Sequence, residues 1–280
     1  MTWSILYRGP LSSCNYDCVY CPFAKTKNTI EELEDDRRKL ERFTQWLSQL
    51  RRSIQILFTP WGEALHHKYY QQALCHISHL AHVKRVAIQT NLAAKLDWLE
   101  QSDNNTLAFW ATFHPTQVKR SKFLKRVDQV LANGNRISVG VVGVKNHFEQ
   151  IKALRTELPS TVYLWINAYK RDPSYYAPAD LSFLEDIDPH FPLNDCYYPS
   201  RGENCYAGET AFSVDGNGDV RRCHFVKEVI GNIYDGSLET ALRKRRCPND
   251  SCGCYIGYIH LKKLQLYNFY KDGLMERIPG

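Results

Sequence analysis

No apolar run in the sequence approaches the roughly 18 residues that a membrane-spanning helix needs, which excludes a helical membrane span. The first eight residues, Met1 to Arg8, lack the basic start and apolar core of a secretory signal. The expected location is therefore the cytoplasm, a reducing compartment. Charge of one sign is also scarce: Lys+Arg 36 against Asp+Glu 30 leaves only +6. So small an excess predicts neither a nucleic-acid partner nor a membrane surface. With 44% hydrophobic residues, disorder is excluded as the main state. A chain of 280 residues makes one large domain or two small ones, either with a full core. Cysteine is missing from the whole stretch between Cys75 and Cys196, although the chain has 10 in all.

Ten cysteines in a reducing compartment point to metal or redox chemistry rather than disulfides. Three lie together at Cys14, Cys18 and Cys21, and Cys75 stands alone. Six follow late, at Cys196, Cys205, Cys223, Cys247, Cys252 and Cys254. The split predicts two metal sites in two regions.

The cysteine-free middle reads as scaffold. Short β-branched or apolar runs at 4–7, 54–58, 85–89, 107–112, 137–142 and 162–166 predict strands. Helical periodicity fills 30–50, 68–80, 96–101, 117–132 and 148–158. The balanced charge run from Glu31 to Arg42 reads as a solvated helix face. Strands alternating with helices imply a parallel sheet. The expected fold is α/β, a partial (β/α)6 barrel over 1–168. A connection over 169–195 then leads to a small α+β domain over 196–280. In such folds ligands bind at the C-terminal strand ends, so residues just after each strand are site candidates.

The loop after the first strand runs Cys14-Asn15-Tyr16-Asp17-Cys18-Val19-Tyr20-Cys21. Thiolates are the soft ligands of iron–sulfur clusters and zinc. A structural zinc site takes a fourth nearby Cys or His, and the next candidate, His66, is distant. Three thiolates on a 4Fe–4S cube leave one iron open to a substrate or cofactor. The spacing C-x3-C-x2-C, with aromatic Tyr20 before the last cysteine, resembles the radical S-adenosylmethionine (radical SAM) superfamily signature. The surrounding Tyr7-Arg8-Gly9-Pro10-Leu11-Ser12-Ser13-Cys14 looks like a small subfamily within it. The resemblance implies a 4Fe–4S cluster on Cys14, Cys18 and Cys21 whose open iron chelates S-adenosylmethionine (SAM). One electron then cleaves SAM to methionine and a 5′-deoxyadenosyl radical, which takes a hydrogen from substrate.

The same resemblance assigns supporting positions. The superfamily carries a Gly-Gly-Glu-like motif after the second strand, where this chain has Trp61-Gly62-Glu63. Gly62 and Glu63 would meet the SAM ammonium, and Trp61 departs from the pattern. Gln89 and Asn91 follow the third strand, as pocket or helix-cap residues. Thr112 and His114 follow the fourth, to bind SAM or touch substrate. Val142 on the fifth strand, or Val141, packs on adenine, and Asn167 follows the sixth.

Further on, 210–214 and 219–222 flank Asp215-Gly216-Asn217-Gly218, a strong hairpin signal. Cys205 and Cys223 bracket that hairpin, so antiparallel pairing brings them together. A short helix over 238–245 leads to Cys247, Cys252 and Cys254. Cys205, Gly218 and Cys223 resemble the opening of the auxiliary-cluster domains of radical SAM enzymes, SPASM in full form and twitch in shortened form. The later half departs, with fewer cysteines. The resemblance implies one auxiliary 4Fe–4S cluster held by Cys205, Cys223 and two of Cys247, Cys252 and Cys254, Cys252 among them. Zinc on the same residues is the alternative. Cys196 is either a further ligand or structural, and Cys75 reads as a buried inert thiol. His66-His67 reads as a helix start. Arg243 to Arg246 reads as a solvated helix end.

The expected activity is that of a radical SAM oxidoreductase or maturase-type enzyme. The auxiliary cluster would accept an electron from substrate or bind it, in an oxidation or cross-linking. The substrate is a peptide or protein side chain, or a small polyol, amino sugar or nucleotide. Only thirteen residues precede Cys14, which favours a small molecule or a peptide delivered by another protein. A reductant such as flavodoxin or ferredoxin is the expected partner. The rival is a non-catalytic iron–sulfur carrier or a zinc-stabilised binding module.

Overall fold

The computed structural model describes residues 2–23 and 25–280. Six strands lie parallel in sequence order: β1 (Trp3–Arg8), β2 (Ile54–Phe58), β3 (Val83–Thr90), β4 (Leu107–Phe113), β5 (Arg136–Val142) and β6 (Leu164–Asn167). Their near-continuous apolar runs suit a sheet covered on both faces. This is the α/β partial barrel expected from the alternation.

Helices α1 (Ile30–Gln49), α2 (Lys68–Ser78), α3 (Arg120–Ala132) and α4 (Phe148–Glu157) connect the strands. A capping box starts α1: Glu32 N donates to Thr29 Oγ1 and Thr29 N donates to Glu32 Oε2. Leu40, Phe43 and Leu47 form its buried stripe, while Arg37 pairs with Glu34 and Glu41 on the solvated face. The β3–β4 connection carries a 3-10 turn, Asp97–Gln101, in place of a full helix. The segment read as a connection holds α5 (Pro178–Ile187) and α6 (Phe191–Asn194). Pro178 at the first turn and the Ala177 N bond to Asp180 Oδ2 start α5.

The remaining elements are β7 (Tyr198–Pro199), β8 (Ala211–Asp215), β9 (Asp219–Arg221), β10 (Val229–Asn232), α7 (Leu238–Ala241), β11 (Ser251–Cys252), α8 (Tyr255–Tyr258) and α9 (Leu266–Tyr270). α7 stops short of the 238–245 expected, because Arg245 folds back to donate to Ala241 O. β8 pairs in parallel with β1, from Ser4↔Ala211 to Arg8↔Asp215, and β9 and β10 follow antiparallel. Barrel and C-terminal hairpin thus share one nine-stranded sheet.

The helices pack on one face of that sheet. The C-terminal segment packs on the other, where Tyr255, Tyr258, Tyr270 and Leu274 meet Leu57, Trp110 and Trp165. Gly140 admits Trp165, since a Cβ there would lie 1.9 Å from its ring. Buried Glu276 pairs with Arg85 (3.3 Å) and Arg136 (3.0 Å), and its carbonyl accepts from Ser138 Oγ. Among the described residues no helix is long and apolar enough to cross a membrane.

Candidate active site between two cysteine sets

The loop from Leu11 to Cys21 leaves the C-terminal end of β1, and the turn after β2 holds it. Gly62 N donates to Leu11 O, and Glu63 N donates to Ser13 O. A Cβ on Gly62 would stand 2.0 Å from Ser13 O, so only glycine allows this approach. Asn28 Oδ1 accepts from Ser12 N and Ser13 N on the other side. The Trp61 departure therefore leaves the backbone contact intact. Trp61 itself is exposed, 5.4 Å from the ring of Phe23.

Cys14, Cys18 and Cys21 line a cavity of about 130 Å³. Gly62, Glu63, Gln89, Asn91, Thr112 and His114 line it too, the level reached by the ends of β2, β3 and β4. Glu63 is buried. Its carboxylate accepts from Thr90 Oγ1 (2.6 Å), Asn91 N (2.6 Å) and Leu65 N (3.3 Å), and burial pushes its pKa up to about 7. Asn91 Nδ2 donates to Asn15 Oδ1 (2.8 Å) and reaches Cys14 Sγ (3.7 Å). Tyr20 OH and His114 Nδ1 share a hydrogen bond of 2.8 Å, and Cys18 Sγ lies 3.3 Å from the same nitrogen. Burial lowers His114 to about 4, so its ring is neutral.

Cys21 and His114 also line a second cavity, of about 590 Å³. Tyr20, Val142 and Asn167 belong to this larger space rather than the smaller one. Cys205, Cys223, Cys247, Cys252 and Cys254 line it as well. One irregular antiparallel ladder assembles them. Tyr198 pairs with Cys252, Ser200 N donates to Asp250 O, Cys247 N donates to Glu203 O, and Asn204 bridges Arg246. The β8–β9 hairpin returns Cys223 to Cys205, as the turn signal predicts. Burial raises Cys223 and Cys252 to about 12; the nearby thiols of Cys205 and Cys247 raise both further, and Cys254 adds to the rise of Cys252.

Buried thiols held this far up become thiolates only beside a cation, as a bound metal or cluster provides. The donor sets fit iron–sulfur ligation: three soft thiols at one cavity, and five at the other, from which four ligands can come. No three Cys, His, Asp or Glu among the described residues converge at single-ion spacing. Arg222 stands beside the four. It is 4% exposed, donates to the carbonyls of Ala207, Arg245 and Arg246, and leaves Nε unpartnered. A buried guanidinium facing neutral carbonyls suits a neighbour of net negative charge.

Cys196 and Cys75 stay out of both sets. Cys196 Sγ reaches Leu193 O and Cys75 Sγ reaches Trp98 O. His67 caps α2 and His66 ends the preceding turn, as expected of a helix start. Of Arg243 to Arg246, Arg243, Lys244 and Arg246 are exposed. Sequence reasoning missed Lys170, Arg171 and Arg222 in the larger cavity. Position signals all three: two follow β6, and the third adjoins Cys223.

No protein-family model and no curated protein matches this chain. Solved structures do. Native anSMEcpe with bound AdoMet and Cp18Cys peptide superposes with a TM-score of 0.57 at 16% identity, covering 85% of this chain and 79% of that one. The same enzyme with bound AdoMet and Kp18Cys peptide gives 0.57 at 15% identity, over 88% and 81%. BtrN in complex with AdoMet and 2-DOIA covers 98% and 92% at 17% identity, with a TM-score of 0.42. The anSMEcpe likeness is one of fold, an α/β partial barrel with a largely parallel sheet.

Proposed function

We propose that this chain is a radical SAM enzyme with one auxiliary 4Fe–4S cluster. The observation that carries the reading is the pair of adjoining cavities, one lined by Cys14, Cys18 and Cys21, the other by Cys205, Cys223, Cys247, Cys252 and Cys254. A 4Fe–4S cluster on the first set, with SAM and one electron, supplies a 5′-deoxyadenosyl radical for hydrogen abstraction. Gly62 and Glu63 hold the cysteine loop and the floor of the SAM cavity. Asn91, Thr112 and His114 give it polar walls. Cys21 and His114 stand where the two cavities meet, so a substrate in the larger one lies between the two sets.

Cys205, Cys223 and two of Cys247, Cys252 and Cys254 would hold the auxiliary cluster, which would accept an electron from the substrate or bind it, in an oxidation or cross-linking. A low-potential donor such as flavodoxin or ferredoxin supplies the first electron. The bound peptide of anSMEcpe makes a peptide side chain one candidate substrate; a small polyol, amino sugar or nucleotide is the other.

The test is SAM cleavage. Anaerobically reconstituted protein, reduced with dithionite, is expected to convert SAM to 5′-deoxyadenosine and methionine. No cleavage, together with zinc in place of iron, would leave a zinc-stabilised module.

A further inference from the structure

The larger cavity carries charge of one sign. Lys170, Arg171 and Arg222 line it, and among the described residues no Asp or Glu does. Arg222 belongs to the four thiols. Lys170 and Arg171 stand apart from them, on the segment after β6. Lys170 Nζ donates to the carbonyls of Asn194 (2.6 Å), Cys196 (3.3 Å) and Gly253, and lies 5.0 Å from the Tyr197 ring. These partners fix the ammonium in place without cancelling its charge. Asp195, whose charge acts on Lys170, neither lines the cavity nor reaches an ion pair with it. Arg171 gives one N–H to Tyr20 O (2.8 Å) and leaves the rest of its fork open at the exposed rim.

Cys254, next to Gly253, is exposed to this space. Cations lining a cavity that no carboxylate lines favour a ligand that brings the counter-charge.

We propose that the Lys170–Arg171–Cys254 wall is an anion-binding subsite, and that the substrate presents a carboxylate or phosphate there. The word substrate rests on the reading above; the anion site rests on the cavity alone.

Alkylation of Cys254 tests it. Holoprotein is treated anaerobically with iodoacetate, an anion, and with iodoacetamide, its neutral analogue of similar size, and Cys254 is followed by peptide mapping. The ratio of the two rates cancels the thiolate fraction. Relative to the unfolded chain, it is expected to favour iodoacetate by about tenfold. Lys170→Gln should lower the ratio about threefold and Lys170→Arg restore it. If Lys170→Gln does not fold, the wild-type ratio decides. Inorganic phosphate and acetate are then tried as protectants, and the stronger names the anion. A ratio no higher than the unfolded chain's, or protection by neither anion, overturns the proposal. So does a Cys254 that resists both reagents and whose Ala variant loses iron, because it would then be a cluster ligand. Loss of SAM cleavage with the selectivity intact would sink the enzymatic reading and leave the anion site standing.

Discussion

Gly62 meets Ser13 so closely that the two backbones admit no side chain between them: a β-carbon on Gly62 would lie 2.0 Å from the Ser13 carbonyl oxygen. That contact fixes where the Cys14 loop leaves the sheet. Gly62→Ala is therefore expected to displace the loop. Iron should fall by about half while the second set keeps its share. SAM cleavage should drop on the order of 100-fold. Iron analysis and 5′-deoxyadenosine yield check this, and a variant with full iron and full cleavage would refute it.

If both cysteine sets hold clusters, iron content separates them. Reconstituted protein should hold about eight irons per chain, and replacing Cys14, Cys18 and Cys21 by Ala should leave about four. Cys196→Ala should lose none, since its thiol is turned toward Leu193. An unchanged iron count in the triple variant would end the two-site division.

Arg222 sets the charge around the four thiols. Reducing a cluster adds negative charge, which a neighbouring cation favours. Arg222→Met is expected to lower the auxiliary potential by roughly 50 mV or more, and Arg222→Lys to recover part of it. Electron paramagnetic resonance during a redox titration reads the shift. No shift would mean that the guanidinium serves only its three carbonyls.

The ion triad of Glu276, Arg85 and Arg136 anchors the C-terminal segment against the sheet. Glu276→Ala leaves Arg85 buried without its counter-ion, at a cost of about 3 kcal/mol. Thermal or denaturant unfolding should show it. A loss near zero would place the anchoring in the tyrosine packing alone.

Enclosed His260 bonds through Nδ1 to Tyr267 OH, and burial lowers its pKa to about 4. The unfolded chain takes up this proton near pH 6.5, while the native state resists until about 4. Stability is thus full above 6.5 and declines as pH falls toward 4, by at most roughly 3 kcal/mol. His260→Gln should flatten that part of the stability–pH curve. An identical slope in the variant would assign the titration elsewhere.

The scaffold was legible because parallel strands are short apolar runs and their helices carry buried stripes such as Leu40, Phe43 and Leu47. The Cys14 loop was legible from spacing alone. The Cys205–Cys223 approach was legible from a turn whose Gly218 sits at φ +85. What spacing could not show was contact between distant segments. Nothing near Tyr255 to Met275 reveals that this stretch lies against Trp110 and Trp165, because its aromatics follow no clean period. Lys170 and Arg222 escaped notice for a related reason. A lone cation reads as surface until the fold shows that no carboxylate answers it.

The hydrogen bonds between β1 and β8 run from Ser4 to Asp215. β1 launches the first cysteine loop, and β8 leads through the hairpin to Cys223. Electron tunnelling falls steeply with separation, so two centres carried by hinged bodies exchange electrons at a rate that fluctuates with the hinge. Here the gap is spanned by a rigid ladder inside one sheet. If each cysteine set holds a redox centre, the strands that carry the Cys14 loop and Cys223 set the separation within one hydrogen-bonded sheet and not across a hinge.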